Sequence, residues 1–285
     1  FTIQQLIKWS LDKDPALQGE AIWHLRAVQD EAAEKHLGQI SVDLRQPFPL
    51  RLAATAALGV GARNPKFLLK LAMDKQPALR HEALRGLVGA SLEGSDVSKL
   101  GNIALRYPDT TFLVQRVLGQ PFGPKPPLTD IDTQVWLNRL DALPSKPDPE
   151  AGRRIFFNTK VALCSKCHQI EGRGTHVGPN LTFIGRNISR NRLLENILQP
   201  SKELAPHYRP WSIAMEDGVQ HTGIALRRGG NAEVYLGTDG KEIRLDKRKI
   251  KEKQVSQVSL MPAGLAHTLT LPELRDLMAF LMESK

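Results

Sequence analysis

Five consecutive residues contain both cysteines of the chain: Cys164, Ser165, Lys166, Cys167 and His168. In this spacing two thiols can bond covalently to the two vinyl groups of a haem, while the histidine that follows coordinates the iron. A single helical turn brings both sulfur atoms within reach of the porphyrin and directs His168 at the metal. The motif therefore predicts one covalently attached haem c, with Cys164 and Cys167 as its tethers and His168 as an iron ligand.

Two other chemistries use the same residue types. A thioredoxin-like redox pair needs its C-x-x-C at the end of a strand in a βαβ unit, whereas the sequence around Cys164 has helical patterns. A structural zinc ion needs four protein ligands, and the sequence contains no second cysteine pair and no H-x3-5-H partner to complete the tetrahedron. We favour haem attachment and keep both alternatives open.

Length and composition indicate a folded protein of about two domains, with 285 residues, 41% of them hydrophobic and 24% charged. No run approaches the roughly 18 apolar residues of a transmembrane helix. The first residue is Phe1, with no positively charged leader before it, so we expect a mature form or a segment of a longer protein. Because haem c is attached on the oxidising outer side of a bacterial inner membrane, we expect a periplasmic or extracytoplasmic location.

The net charge is +9, and nearly all of the basic excess follows residue 150. This excess either steers an acidic redox partner or forms a solvated basic surface. Nucleic-acid binding is disfavoured because the basic residues are not interleaved with stacking aromatics. No carboxylate pair, nucleophile–base set or phosphate loop stands out, so we predict no catalytic residues.

An internal repeat occupies the N-terminal region. The segment from Leu6 to Ile22 recurs from Leu68 to Leu84, and both copies contain Asp-Lys-x-Pro-Ala-Leu. Parts of further copies occur at residues 50–54 and 112–118. The pattern resembles HEAT repeats, which are paired helices that stack on one another. It predicts a HEAT-like domain at residues 1–118 that serves as a scaffold or a spacer.

Residues 119–147 are predicted to be a proline-rich linker with one short helix, because each proline removes an amide donor.

The haem motif belongs to a third segment, residues 148–285. A helix capped by Asp148 leads towards the motif, and a C-terminal helix starts at the capping box Thr270-Leu-Pro-Glu. We expect the two helices to cross near Gly152 and Phe280, as they do in small class I cytochromes c.

β-prone segments fill the region before the C-terminal helix. Four of them, at residues 208–215, 219–228, 232–238 and 241–245, are separated by hairpin signals such as Asp217-Gly218 and Asp239-Gly240. They predict a small antiparallel β insert at about 206–258. The lysine-rich run at residues 247–253 is interpreted as a docking patch or a solvated edge.

Several sequence blocks in residues 148–283 resemble the planctomycete-type haem-binding domain. The blocks are residues 152–156, 164–168, 177–181, 189–195, 198–201 and 259–265, together with the final helix. The resemblance implies a domain that closes large secreted proteins, after helical repeats and often a propeller-type dehydrogenase domain. The predicted fold class is mainly α: a HEAT-like α-solenoid followed by a class I-like cytochrome c domain with a small antiparallel β insert.

The same resemblance indicates the remaining haem contacts. Met261 precedes Pro262 just ahead of the final helix, as the distal methionine does in class I cytochromes, and it is predicted to be the second iron ligand. Pro179 is similar to the class I proline whose carbonyl accepts a hydrogen bond from the axial histidine. Arg186 could reach a haem propionate or remain in solvent. Met261 could instead fill a gap in the core, and four histidines remain alternative ligands: His176, His207, His221 and His267.

These observations predict an electron-transfer monohaem cytochrome c module that forms the C-terminal part of a larger secreted dehydrogenase-type protein. Electrons would come from a redox donor domain or protein and leave to a periplasmic acceptor, so that the segment itself is a non-catalytic carrier. The alternative function is a haem peroxidase or a gas-binding sensor with an open sixth iron position.

Overall fold

The computed structural model describes residues 1–61, 65–120 and 131–284. The chain divides into two compact units, Phe1–Lys125 and Pro126–Lys285. Residues 121–130 of the predicted linker lie outside the described residues. In the described part of the chain, no helix is both long enough and apolar enough to cross a membrane.

The first unit is built from helices: α1 (Ile3–Trp9), α2 (Pro15–Leu25), α3 (Glu31–Val42), α4 (Phe48–Gly61), α5 (Lys66–Leu71), α6 (Pro77–Leu87), α7 (Gly94–Arg106) and α8 (Thr111–Val117), with a short 3-10 helix at Pro108–Thr110. The two best-matched copies of the repeat begin in α1 and α5 and end in α2 and α6. Both α2 and α6 have 11 residues and begin at the repeated proline, because proline is favoured at the first helical position, where no amide donor is needed.

Two features join α4 to α6 and to the turn that precedes α6. Helices α4 and α6 approach so closely that a Cβ atom on Gly59 would lie 2.8 Å from the Cα of Gly86. The buried guanidinium of Arg51 on α4 donates a hydrogen bond to Asp74, at 3.3 Å, in the turn that precedes α6. Backbone packing and a buried charge pair therefore hold neighbouring repeats together.

The second unit begins with α9 (Thr133–Asp141) and α10 (Pro149–Phe156), continues with α11 (Ile184–Asn187) and α12 (Arg190–Leu198), and ends with α13 (Leu271–Glu283). Its short 3-10 helices are Cys164–Lys166, Pro206–Tyr208, Lys247–Lys249 and Leu265–Thr268. Helices α10 and α13 cross at the predicted glycine: a Cβ atom on Gly152 would lie 2.0 Å from the carbonyl oxygen of Asp276 and 2.9 Å from the Cβ of Phe280. Only glycine permits this approach.

The second unit also contains two sheets. The smaller one pairs β1 (Gln169–Ile170) with β2 (Arg173–Gly174), and the larger one consists of β3 (Pro210–Met215), β4 (Gln220–Gly229), β5 (Ala232–Gly237), β6 (Glu242–Asp246) and β7 (Ile250–Val255). The larger sheet is antiparallel, with the strand order β6-β5-β4-β3-β7. Although β6 and β7 lie at opposite edges, Leu245 and Ile250 share one hydrophobic cluster with Ile213 and Tyr235. The sheet therefore curves around its own core.

The predicted fold class, a mainly α chain that ends in a class I-like cytochrome c domain with a small β insert, is wrong. A class I cytochrome c fold is small, and it does not accommodate a five-stranded antiparallel sheet together with a second, two-stranded one. Four strands of the large sheet coincide, to within two residues at their ends, with the segments predicted to be β-prone. The fifth, β7, begins in the lysine-rich run that is interpreted as a docking patch or a solvated edge. It pairs with β3 through its backbone, and an edge strand accommodates exposed lysines.

Candidate functional site

The cysteine–histidine motif forms one tight turn. Cys164–Lys166 is a 3-10 helix, and the backbone amides of Cys167 and His168 both donate to the carbonyl oxygen of Cys164, at 3.1 and 2.8 Å. Leu163, immediately before it, has a left-handed backbone with φ of 60°. Such a conformation is unfavourable for leucine and tends to occur at functional sites. Here it reverses the chain and starts the turn.

A loop that follows β2 binds this turn from the other side. The amide of Thr175 donates to the carbonyl of Ser165 at 3.2 Å, and the amide of Gly178 donates to the carbonyl of Cys167 at 2.6 Å. Because both hydrogen bonds reach backbone atoms of the motif, the loop fixes the position of the turn independently of its side chains.

The ring of His168 is held in one tautomer. Its Nδ1 lies 2.9 Å from the carbonyl oxygen of Pro179, and a carbonyl can only accept, so Nδ1 carries the proton and Nε2 keeps its lone pair. Burial lowers the pKa of His168, and the hydrogen bond to Pro179 opposes this effect less strongly. The ring is therefore neutral and able to coordinate a metal. This is the hydrogen bond that the resemblance implies; the roles of both residues towards a haem stay predictions.

The two cysteines are protonated at neutral pH. Burial raises the pKa of Cys164 to about 12, and it also raises the pKa of Cys167. Both thiols are free rather than joined in a disulfide. A reactive thioredoxin-like pair needs a thiol whose pKa is lowered, and Cys164 stands before the short strand β1 rather than after a strand. Both observations disfavour the thioredoxin-like alternative.

The zinc alternative requires several ligands that converge on one point. Within residues 1–61, 65–120 and 131–284, no group of three or more His, Cys, Asp or Glu side chains is arranged to hold a metal ion. The side chains of Cys164, Cys167 and His168 consequently do not form a shared ligand set of the kind that zinc needs.

A cavity of about 1140 Å³ adjoins the motif. Five of the six predicted site residues line it: Cys164, Cys167, His168, Pro179 and Met261. The sixth, Arg186, does not; it is exposed, and its guanidinium lies 5.5 Å from the ring centre of Phe183. Apolar side chains from α10, α12, α13 and β4 form much of the remaining wall: Phe156, Leu193, Ile197, Ile224, Leu277 and Leu281. Such a large apolar cavity suits a flat organic cofactor.

The cavity lining contains only some of the residues that the sequence offers as the predicted second iron ligand. Besides Met261, its lining includes one of the four alternative histidines, the exposed His207. His176, His221 and His267 are not part of the lining. Met261 and His207 are therefore the two candidates that share a cavity with His168.

The large sheet forms one wall of this cavity. Ile224 on β4 and Leu236 on β5 are buried in a cluster with Val177, against which Cys167 and Tyr208 pack. The sequence predicts these strands but indicates no role for them. The alternation of side chains along a strand predicts two faces, but it does not indicate which of them covers the motif.

Comparison with protein-family models and with curated protein sequences found no match. The residues that line the cavity indicate which kind of ligand it can hold.

Three basic side chains line the cavity. Arg192 forms ion pairs with Glu195 and Glu203, and Lys202 pairs with Glu195. The Nε of Arg209 is buried and has no hydrogen-bond partner among the described residues. Sequence reasoning missed Arg209, because nothing in its spacing distinguishes it from other basic residues.

A buried donor without an acceptor costs about 1–3 kcal/mol, so the Arg209 position favours a ligand that brings an acceptor. A haem combines an apolar ring, two vinyl groups, a metal and two carboxylates. The cavity offers apolar walls, two thiols, a neutral imidazole and this unsatisfied arginine. The residues present fit a haem.

Proposed function

We propose that the chain binds one haem c covalently in this cavity and acts as an electron-transfer module. The observation that carries the proposal is the placement of Cys164, Cys167 and His168 at the wall of one large apolar cavity, with the hydrogen bond to Pro179 leaving Nε2 of His168 available for iron. When bound, a haem supplies an iron centre that accepts and releases one electron.

The residues of the chain have distinct roles in this proposal. Cys164 and Cys167 would hold the haem covalently through thioether bonds. His168, oriented by Pro179, would coordinate the iron through Nε2. Met261 would supply a thioether ligand, which favours the reduced iron. The apolar lining, including Leu277 of α13 and Ile224 of β4, would exclude water from the haem.

The wider setting belongs to the same proposal. The resemblance to the planctomycete-type haem-binding domain suggests an extracytoplasmic protein, in which an upstream dehydrogenase domain or a separate protein donates electrons and a periplasmic carrier accepts them. The HEAT-like resemblance of the first unit suggests that it acts as a scaffold or a spacer.

The test is expression of the full chain in the periplasm of a host with cytochrome c maturation machinery. We expect purified protein to be red and to gain the mass of one haem, and we expect the doubly substituted variant C164S/C167S to lose the covalent haem. Lys166→Ala serves as the control, because Lys166 is exposed between the two cysteines. Colourless wild-type protein would refute the proposal. Rapid binding of carbon monoxide by the reduced wild type would instead favour the peroxidase or gas-sensor alternative.

A further inference from the structure

The basic side chains of the cavity differ in whether they already have acidic partners. Arg192 and Lys202 are engaged by Glu195 and Glu203, and the hydrogen bonds from Lys202 and Arg192 lower the pKa of Glu195, which keeps this carboxylate ionised. Their charges are thus satisfied within the protein, and they have little left to offer a ligand.

Arg209 is different. Its side chain has no hydrogen bond, ion pair or ring contact with the described residues, and its Nε is buried. Its backbone, by contrast, is well fixed: the Arg209 amide donates to the carbonyl of Pro206 at 3.4 Å, and β3 begins at Pro210. An arginine at the cavity wall whose buried Nε lacks an acceptor is the arrangement expected of a subsite for an anion.

The ligand that the cavity is proposed to hold brings two anions of its own. The propionates of a haem are planar carboxylates, and the fork of N–H donors on arginine matches a carboxylate in a two-point hydrogen bond. On the basis of the proposed function, we infer that Arg209 is the propionate subsite of the cavity, and that its charge raises the reduction potential of the haem.

The direction of the change in reduction potential follows from the charge of Arg209. Oxidation adds one positive charge at the iron, and a nearby guanidinium disfavours that form by Coulomb repulsion, more strongly in a cavity of low polarity than in water. Pairing with the guanidinium also cancels the negative charge of a propionate, which would otherwise favour the oxidised form. Loss of Arg209 therefore lowers the reduction potential.

The experiment compares charge-neutralising variants of the holoprotein. Covalent haem content is measured by mass spectrometry, and the midpoint potential by optical redox titration. Arg209→Gln is expected to keep the covalent haem, because the thioethers do not need the arginine, and to have a lower midpoint potential than the wild type. Arg209→Lys, which keeps the charge but not the fork, should lie between them.

Two matched variants define what the result means. Arg244→Gln removes a charge from an exposed position on β6, outside the cavity lining, and should leave the potential unchanged. Arg186→Gln tests the arginine that the sequence suggested for a propionate. Equal potentials for Arg209→Gln and the wild type, or a larger shift in Arg186→Gln, would overturn the subsite while leaving the haem-binding proposal intact. Wild-type protein without haem would refute both.

A direct spectroscopic reading covers the case in which Arg209→Gln does not fold. The carboxylate bands of the propionates are then compared by infrared difference spectroscopy between the wild type and Arg209→Lys. A shift of one propionate band supports the subsite, and identical propionate bands overturn it.

Discussion

Gly178 lies directly against the imidazole ring of His168: a Cβ atom at residue 178 would be 2.6 Å from Cε1 and 2.8 Å from Nδ1 of that ring. The backbone φ of Gly178 is not in the left-handed region, so the glycine is required by space and not by conformation. The amide of Gly178 also donates a hydrogen bond to the carbonyl of Cys167. Gly178 therefore cannot move away from the ring without breaking this hydrogen bond.

Gly178→Ala should therefore displace the imidazole of His168. On the basis of the proposed function, we expect covalent haem to be retained, the haem spectrum to change, and the stability of the second unit to fall by about 1–3 kcal/mol, the usual cost of an overpacked site. Haem absorbance monitored during thermal unfolding measures the stability, and the absorption spectrum before unfolding shows the change at the histidine. Gly229→Ala is the control, because nothing lies within 4 Å of a Cβ atom there. Wild-type spectra and stability in Gly178→Ala would contradict this account.

The sequence predicted the parts of this unit that depend on local patterns. The capping box located the start of α13, and hairpin signals separated β3 to β6. The crossing near Gly152 and Phe280 was expected from the similar arrangement in class I cytochromes c, and the two helices do approach there.

Long-range relationships were not predictable in the same way. β7 pairs with β3, with Val255 opposite Trp211, and nothing in the lysine-rich sequence of β7 indicates that partner. The curvature of the sheet and its position against Cys167 depend on packing between residues far apart in sequence. Arg209 could not be singled out, because its distinguishing feature is an unsatisfied buried atom, which only the folded cavity reveals.

The pairing of Arg51 with Asp74 leads to a second prediction, in the repeat unit. The side chain of Arg51 is 7% exposed and that of Asp74 is 21% exposed. Removal of the carboxylate therefore deprives a buried guanidinium of its charged hydrogen-bond acceptor. Asp74→Ala should lower the free energy of unfolding by about 2–3 kcal/mol, measured by urea denaturation.

Asp43→Ala provides a matched control for that measurement. Asp43 also accepts a backbone N–H from two residues further on, as Asp74 does, but its partner Arg45 is 90% exposed. Exposed ion pairs contribute little to stability, so Asp43→Ala should cost clearly less. Equal losses in the two variants would mean that the burial of Arg51 is unimportant.

His36 provides a pH-dependent prediction. Its Nε2 lies 2.7 Å from the hydroxyl of the buried Ser10, which itself donates to the carbonyl of Ile7, so the neutral ring donates from Nε2. Burial lowers the pKa of His36 from 6.5. The unfolded chain therefore binds a proton at higher pH than the folded chain, and stability falls as the pH drops through about 6.5.

The corresponding measurement is a series of urea denaturations between about pH 7.5 and about pH 5. His36→Gln should reduce the loss of stability at the acidic end relative to the wild type, because glutamine cannot take up a proton. His24→Gln, the same substitution on helix α2, serves as the control. A wild-type pH profile in His36→Gln would show that another group is responsible.

The second iron ligand can be decided between the two candidates that line the cavity with His168. A thioether ligand gives oxidised cytochromes a weak long-wavelength absorption band and a high reduction potential, whereas a second imidazole lowers the potential. Met261→Ala should abolish that band, lower the midpoint potential and allow carbon monoxide to bind the reduced protein. Met215→Ala should keep the band, since Met215 is buried in the core of the sheet and does not line the cavity, although the vacated volume lowers stability. If His207→Ala produced these changes and Met261→Ala did not, the ligand would be the histidine, and Met261 would be a packing residue of the cavity wall.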